Sequence, residues 1–191
     1  MKIAILFSGL YSPNIKDIEV PNEEKIPKKY LQYSEKHFLE YIIDSDTDIF
    51  IHTYNSKYNN MLLETYKPKN YFFENKLDIK VKDKHCHPCY NDSPVYCLLS
   101  KTYSEQKVIN LMLQYQEENN FKYDLCLLTR FDVVWFNKIN YKEIILKNNF
   151  DKKIFLSHWN KYNSKEGQGF LDHFVIATPY TMNIYKIFLI I

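Results

Sequence analysis

The sequence has very little glycine and alanine for its length. Only three of its 191 residues are glycine, and alanine occurs only at positions 4 and 177. Because the glycines stand at positions 9, 167 and 169, no G-x-G-x-x-G loop can follow the first predicted strand, which disfavours a Rossmann dinucleotide site. Tyrosine and phenylalanine are abundant instead, at 17 and 13 residues. We attribute this bias to an A+T-rich genome rather than to a function.

Long apolar runs and a large net charge are also missing. No run reaches the length of a membrane span, and the opening segment 1–7 is too short for a signal peptide and has no small-residue cleavage site after it. We therefore expect a cytoplasmic protein without a transmembrane segment, with its four cysteines reduced. A formal charge of +2 gives no basic field of the kind that nucleic acid binding needs, so no nucleic-acid partner is expected.

Short apolar runs and helical periodicity alternate along the chain. The apolar runs predict strands at 2–7, 48–54, 70–73, 125–128, 153–157 and 172–177. Helical spacing predicts helices at 28–43, 56–66, 94–119, 141–147 and from 178 onward. The longest helix is expected to bury Val95, Leu98, Leu99, Val108, Leu111, Met112 and Tyr115. This alternation predicts one α/β domain over residues 1–191, a three-layer sandwich with a mainly parallel central sheet.

Polar residues follow the apolar part of several predicted strands. Open α/β sheets bind ligands at the carboxyl ends of their strands, so these residues are expected to gather on one edge of the sheet. They are Ser8 and Gly9, His52 and Thr53, Arg130 and Asp132, and His158. Together they predict a site for a phosphorylated ligand.

Arg130 and Asp132 are the most informative of these residues. Two residues apart in extended backbone, they project from the same side of the chain. The arginine can then face a phosphate oxygen while the aspartate holds a divalent cation on that phosphate. The alternative interpretation is an ion pair between the two side chains that caps the strand.

A separate group of possible metal ligands lies at His85-Cys86-His87-Pro88-Cys89. Cys86 and Cys89 have the spacing of zinc ligands, and histidines flank them. A structural zinc site usually draws on a second pair of ligands, whereas Cys97 and Cys126 lie singly on a predicted helix and a buried strand. We therefore favour a surface loop over a zinc-stabilised interaction domain.

The remaining glycines, Gly167 and Gly169, come shortly before Asp172 and His173. This order suits a mobile loop that borders an active site. Taken locally, a solvent-exposed turn with Asp172 capping a strand is the more ordinary interpretation.

With these motifs the chain resembles a family of small GT-A-type glycosyltransferases found in capsule or lipopolysaccharide gene clusters and in large DNA viruses. The matching features are the first strand with Ser8-Gly9, the strand 48–53, Tyr123-Asp124 leading to Arg130-Phe131-Asp132, and Asp172-His173-Phe174 followed by Met182 in a helix. They span nearly the whole chain. The resemblance implies a GT-A-like fold, a nucleotide-sugar donor, a glycan or other hydroxyl acceptor, and Mn²⁺ or Mg²⁺.

The resemblance also implies roles for single residues. Asp132 would bind the metal on the donor diphosphate, and Arg130 would orient Asp132 or contact the diphosphate. The other residues implied to bind the donor are Ser8, Gly9, Leu10, Tyr11 and His52. For an inverting reaction, Asp172 is the candidate general base for the acceptor hydroxyl, and His173 is the reserve candidate.

Two departures from the family pattern favour an alternative. Tyr11 stands where the relatives tend to carry an arginine, and the chain ends inside its last predicted helix, so C-terminal elements are expected to be missing or supplied by another module. The alternative is a non-catalytic GT-A-like domain that binds a nucleotide or a partner chain.

Overall fold

A computed structural model of the chain describes residues 1–9, 25–54, 58–75, 94–148, 150, 152–157 and 171–188. These residues form six strands and five helices. In chain order the elements are β1 (Ile3–Ser8), α1 (Lys25–Tyr41), β2 (Thr47–Tyr54), α2 (Asn59–Tyr66), β3 (Asn70–Glu74), α3 (Pro94–Glu118), β4 (Leu125–Arg130), α4 (Tyr141–Lys147), β5 (Phe155–Ser157), β6 (Leu171–Ala177) and α5 (Pro179–Phe188). Within the described ranges, no helix is both long enough and apolar enough to cross a membrane.

The strands form one mixed sheet in the order β3-β2-β1-β4-β6-β5. Neighbours among β1, β2, β3 and β4 pair in parallel, whereas β6 pairs antiparallel with both β4 and β5. The prediction of an α/β fold with a mainly parallel sheet is confirmed. Apolar clusters lie on both faces of the sheet, which is compatible with the predicted three-layer sandwich.

Strand β1 lies in the middle of the apolar core, and all six of its residues are buried. Phe7 packs edge-on against Phe38 of α1 at 4.7 Å and stacks on Phe131, which follows β4, at 4.9 Å between ring centroids. Burying an aromatic or aliphatic side chain of this size contributes about 1.5–3 kcal/mol. The carboxyl ends of β1 and β4 are therefore held to each other by apolar packing just below the polar residues that follow.

Helix α3 buries a different set of residues from the one predicted. Val108 and Met112 are buried as expected, but Leu98 is 47% exposed, so the prediction is wrong for this residue. Among residues 98–105, whose side chains the structure describes, the buried ones are polar, namely Ser100, Thr102, Ser104 and Glu105. This part of the helix packs over the polar ends of β1 and β2, where apolar side chains would leave hydrogen-bonding groups unsatisfied.

Candidate functional site

The strand order places a topological switch point between β1 and β4. The chain leaves β1 toward β2 and β3 on one side, and β4 adds to its other side. Ligands of open α/β sheets bind outside the carboxyl ends of the strands at such a point. Ser8 and Arg130 are direct neighbours there in the β1–β4 register. Two of the predicted site segments, at 8–9 and 130–132, therefore end side by side.

The register extends this neighbourhood into a row of residues across the sheet. Ser8 pairs with His52 on its other side, and His52 pairs with Phe72 of β3. On the opposite flank Thr129 pairs with Phe174, so continuing the antiparallel register by one residue puts His173 opposite Arg130. The sheet thus brings together predicted site residues from four strands.

Arg130 and Asp132 form an ion pair, which we call the exposed pair. The guanidinium donates from Nε to Oδ1 at 2.9 Å and from Nη2 to Oδ2 at 2.5 Å, and the two side chains are 39% and 63% exposed. Strand β4 ends at Arg130, so Asp132 lies in a turn rather than in the extended backbone expected. Both charged groups can be reached by a ligand from solvent.

A divalent cation would have few protein ligands here. The described residues contain no group of three or more histidine, cysteine, aspartate or glutamate side chains that could hold a metal ion. Mg²⁺ in phosphate-transfer sites is commonly bound by one or two carboxylates together with phosphate oxygens and water. The single exposed carboxylate of Asp132 fits that mode of binding, in which the diphosphate supplies the other oxygens.

Gly9 forms the turn that follows β1. Its φ angle is +96°, a left-handed conformation that residues other than glycine rarely adopt. Among the described residues other than its chain neighbours, no atom lies within 4 Å of the position that a Cβ on Gly9 would occupy. Its N–H donates to Ser104 Oγ at 2.7 Å. Helix α3 therefore holds the backbone that directly follows β1. Leu10 and Tyr11, predicted to bind the donor, lie outside the described residues.

His52 is fully buried under α3, and both of its ring nitrogens are engaged. Nδ1 lies 2.7 Å from Ser104 Oγ, and Nε2 lies 2.7 Å from Glu74 Oε1. Tyr103 donates its hydroxyl to the other Glu74 oxygen at 3.2 Å. We call this set, with the Gly9 N–H, the buried network. Because His52 has no exposed surface, any part that it plays in donor binding is indirect.

The protonation of His52 follows from its surroundings. Burial lowers its pKa, against the smaller opposing effect of the Glu74 carboxylate, so the imidazole is neutral near pH 7. The Glu74 carboxylate only accepts hydrogen bonds, so we assign the ring proton to Nε2. Nδ1 then accepts from the Ser104 hydroxyl.

The buried network has the connectivity of a Ser-His-Glu catalytic triad, but it cannot act as one. Ser104 is fully buried, and its oxygen already accepts the Gly9 N–H. A nucleophilic serine must present its oxygen to a substrate carbonyl or phosphoryl group. The network therefore supports the structure of the site.

Glu74 and Ser104 were not identified from the sequence. A signal existed for Ser104, because Ser100 and Ser104 precede Val108 and Met112 at four-residue spacing and so share the buried face of α3. Polar residues on such a face require polar partners in the sheet. Glu74 gave no comparable signal, since it is the last residue of an edge strand.

The predicted acceptor-side residues lie on β6. His173 is partly exposed, and its carbonyl accepts a hydrogen bond from Thr129 Oγ1 at 3.1 Å. The backbone of Asp172 belongs to β6, and its side chain lies outside the described part of the chain. His158, Gly167 and Gly169 also lie outside it.

The candidate zinc segment 85–89 falls outside the described residues as well, as does the Cys97 side chain. Cys126 is a free, buried cysteine of β4, and burial raises the pKa of its thiol. A buried thiol of this kind is chemically inert. Cys126 therefore belongs to the core, as the sequence indicated.

The fold and the strand-end residues together define an α/β protein with an exposed Arg-Asp pair at the switch point of its sheet. A scan against models of known protein families finds no match for the chain, and a search of curated proteins finds none either.

Proposed function

We propose that this protein is a GT-A-like glycosyltransferase that moves a sugar from a nucleotide-sugar donor to a hydroxyl group of a glycan or other acceptor. The observation that carries the proposal is the meeting of Ser8-Gly9 and Arg130–Asp132 at the ends of the adjacent strands β1 and β4. This is where an open α/β sheet binds a ligand. The motif resemblance supplies the chemical class of that ligand.

The charges of the exposed pair suit the leaving group of such a reaction. In glycosyl transfer the sugar passes through an oxocarbenium-like state while negative charge develops on the departing nucleoside diphosphate. The Arg130 guanidinium can donate to phosphate oxygens bidentately in place of Asp132, and it stabilises this charge as it develops. A Mn²⁺ or Mg²⁺ ion held by Asp132 and the diphosphate would supply further stabilisation of the same charge.

The neighbouring residues have complementary roles. We propose that the backbone at Gly9 borders the nucleoside, since it directly follows Ser8 at the end of β1. On β6 we propose Asp172 as the base that removes the acceptor hydroxyl proton, with His173 as the reserve candidate. Continuing the β4–β6 register one residue beyond the pair Thr129–Phe174 puts His173 opposite Arg130, so the proposed donor and acceptor sides adjoin.

One observation favours a second candidate, a non-catalytic domain that binds a nucleotide without transferring a sugar. Arg130 donates to both oxygens of Asp132, an arrangement that neutralises the carboxylate without a metal. A protein that binds its ligand through Arg130 alone would not need the cation.

Titration calorimetry separates the two candidates. We expect UDP or GDP to bind in the presence of Mn²⁺ and to lose most of that affinity in EDTA, because the cation joins the diphosphate to Asp132. Release of sugar from a nucleotide-sugar donor with Mn²⁺ would then establish the activity. Equal affinity with and without the metal, together with no donor hydrolysis, would favour the non-catalytic candidate.

A further inference from the structure

The hydrogen bonds of the buried network run in one direction. The Gly9 N–H donates to Ser104 Oγ, the Ser104 hydroxyl donates to His52 Nδ1, and His52 Nε2–H donates to Glu74. Each of these three bonds is 2.7 Å long, and the Ser104 hydroxyl also lies within 3.3 Å of the His52 carbonyl oxygen. Because Ser104 and His52 are fully buried, removing one member leaves its neighbour without a replacement partner from solvent.

This series of hydrogen bonds begins at the Gly9 backbone, which belongs to the candidate donor site. Gly9 adopts a positive φ angle and follows directly after Ser8, which pairs with Arg130. The other end is Glu74, on the sheet edge strand β3, whose second oxygen accepts from Tyr103. Ser104 and His52, which are fully buried and cannot touch a ligand, therefore determine where the Gly9 amide points.

We propose that Ser104, His52 and Glu74 are positioning residues of the donor site, which hold the backbone at Gly9 in the conformation that a nucleotide meets. This inference rests on the proposed function, because it assigns the network to the nucleotide side of that site. Ser104 is the member in direct contact with Gly9, and its loss is expected to act most strongly.

The chain offers a matched control for Ser104. Ser100 lies one turn earlier on the same helix, is also buried, and bonds through its hydroxyl to the Tyr54 hydroxyl at 2.8 Å. Ser100→Ala and Ser104→Ala thus remove the same atom from the same helix face. Only the second removes the acceptor of the Gly9 N–H.

The first measurement needs no nucleotide. Ser8-Gly9 is the sole Ser-Gly step in the sequence, so carbonyl-¹³C serine combined with ¹⁵N glycine selects the Gly9 amide in an NMR spectrum. We expect this amide to exchange with solvent at least about tenfold faster in Ser104→Ala than in the wild type. In Ser100→Ala its exchange rate should stay at the wild-type value.

The second measurement is calorimetry of the same three proteins with UDP or GDP and Mn²⁺. Loss of the fixed backbone conformation at Gly9 should weaken nucleotide binding about tenfold in Ser104→Ala, against less than about twofold in Ser100→Ala. Should Ser104→Ala not fold, Ser104→Cys keeps a small buried side chain with a much weaker acceptor, and the same differences are expected.

The outcomes are distinct. Unchanged Gly9 exchange in the Ser104 variant, or equal weakening by both serine variants, overturns the positioning role and leaves a purely structural one. If the wild type binds neither nucleotide, the proposed function fails and the positioning role toward a nucleotide fails with it, while the Gly9 exchange rates still show whether Ser104 holds this amide. Faster exchange with selective loss of affinity supports the proposal.

Discussion

The buried network and the exposed pair start from equivalent places in the sheet and have opposite properties. His52 and Arg130 flank Ser8 at the same level, one on β2 and the other on β4. Helix α3 covers His52 and provides partners for its ring, whereas the Arg130 side chain is 39% exposed. The difference comes from what packs above each strand end. A polar residue at the end of a strand therefore either supports the site or can contact a ligand, depending on whether a helix packs over it.

Substitutions in the two regions should also differ in how much they lower the stability of the folded protein. Leaving a buried hydrogen-bonding group without its partner costs about 1–3 kcal/mol of stability, whereas an exposed ion pair contributes about 0–1 kcal/mol. Changes in the exposed pair are thus expected to affect function with the fold intact. Changes in the buried network are expected to affect both.

The largest expected effect is that of Asp132→Asn. The amide keeps the shape of the side chain but loses the negative charge that a cation requires, so we expect transfer to fall on the order of a hundredfold to a thousandfold. Metal affinity and donor affinity should fall together. The free energy of unfolding should change by less than about 1 kcal/mol, because the pair is exposed. Initial rates with a nucleotide-sugar donor, calorimetry and urea denaturation measure the three quantities.

Asp124→Asn is the matched control for this variant. Asp124 precedes β4 at its opposite end and accepts from the Lys2 backbone N–H at 2.7 Å. Its replacement should leave transfer and metal dependence at wild-type values. Equal losses in both variants would mean that the effect of Asp132→Asn is general and that Asp132 does not bind the metal.

A smaller effect on turnover, with a different signature, is expected for Asp172→Asn. If Asp172 is the general base, turnover falls by about a hundredfold while donor affinity stays nearly unchanged. Steady-state kinetics and donor calorimetry on the same preparation give both values. Loss of donor binding comparable with that of Asp132→Asn would make Asp172 a metal or ribose ligand and would extend the donor site onto β6.

The elements that the sequence predicted well are those fixed by local signals. Helix α4 was predicted with its observed bounds of Tyr141–Lys147. Its start is marked by Asn140, whose side chain accepts from the Glu143 N–H at 3.1 Å, and its end by Lys147, which pairs with Glu143. Caps and i,i+4 pairs of this kind are readable from a few consecutive residues.

The features that the sequence did not reveal depend on tertiary contacts. Alternation of strands and helices predicts a mainly parallel sheet but not that β6 runs antiparallel, because strand direction depends on which strands pair in the folded sheet. The exposure of Leu98 and the burial of Ser104 depend on which strand ends lie under α3. For the same reason the sequence placed His52 at the site but could not show that it is covered.

The smallest expected effect is a pH dependence of stability that arises in the buried network. Burial lowers the pKa of His52 most, Glu74 opposes this, and the Lys107 charge adds to the lowering. Between that lowered pKa and the ordinary histidine value of about 6.5, the unfolded chain binds a proton that the folded protein does not, so stability falls as the pH drops through this window. The slope is at most about 1.4 kcal/mol per pH unit for one such group.

His52→Gln, whose amide can still donate to Glu74, should remove this part of the slope in urea denaturation between pH 7.5 and 5.0. Carboxylates titrate in both proteins, so the difference between the two curves isolates His52, and parallel curves would show that His52 is protonated as readily in the folded protein as in the unfolded chain.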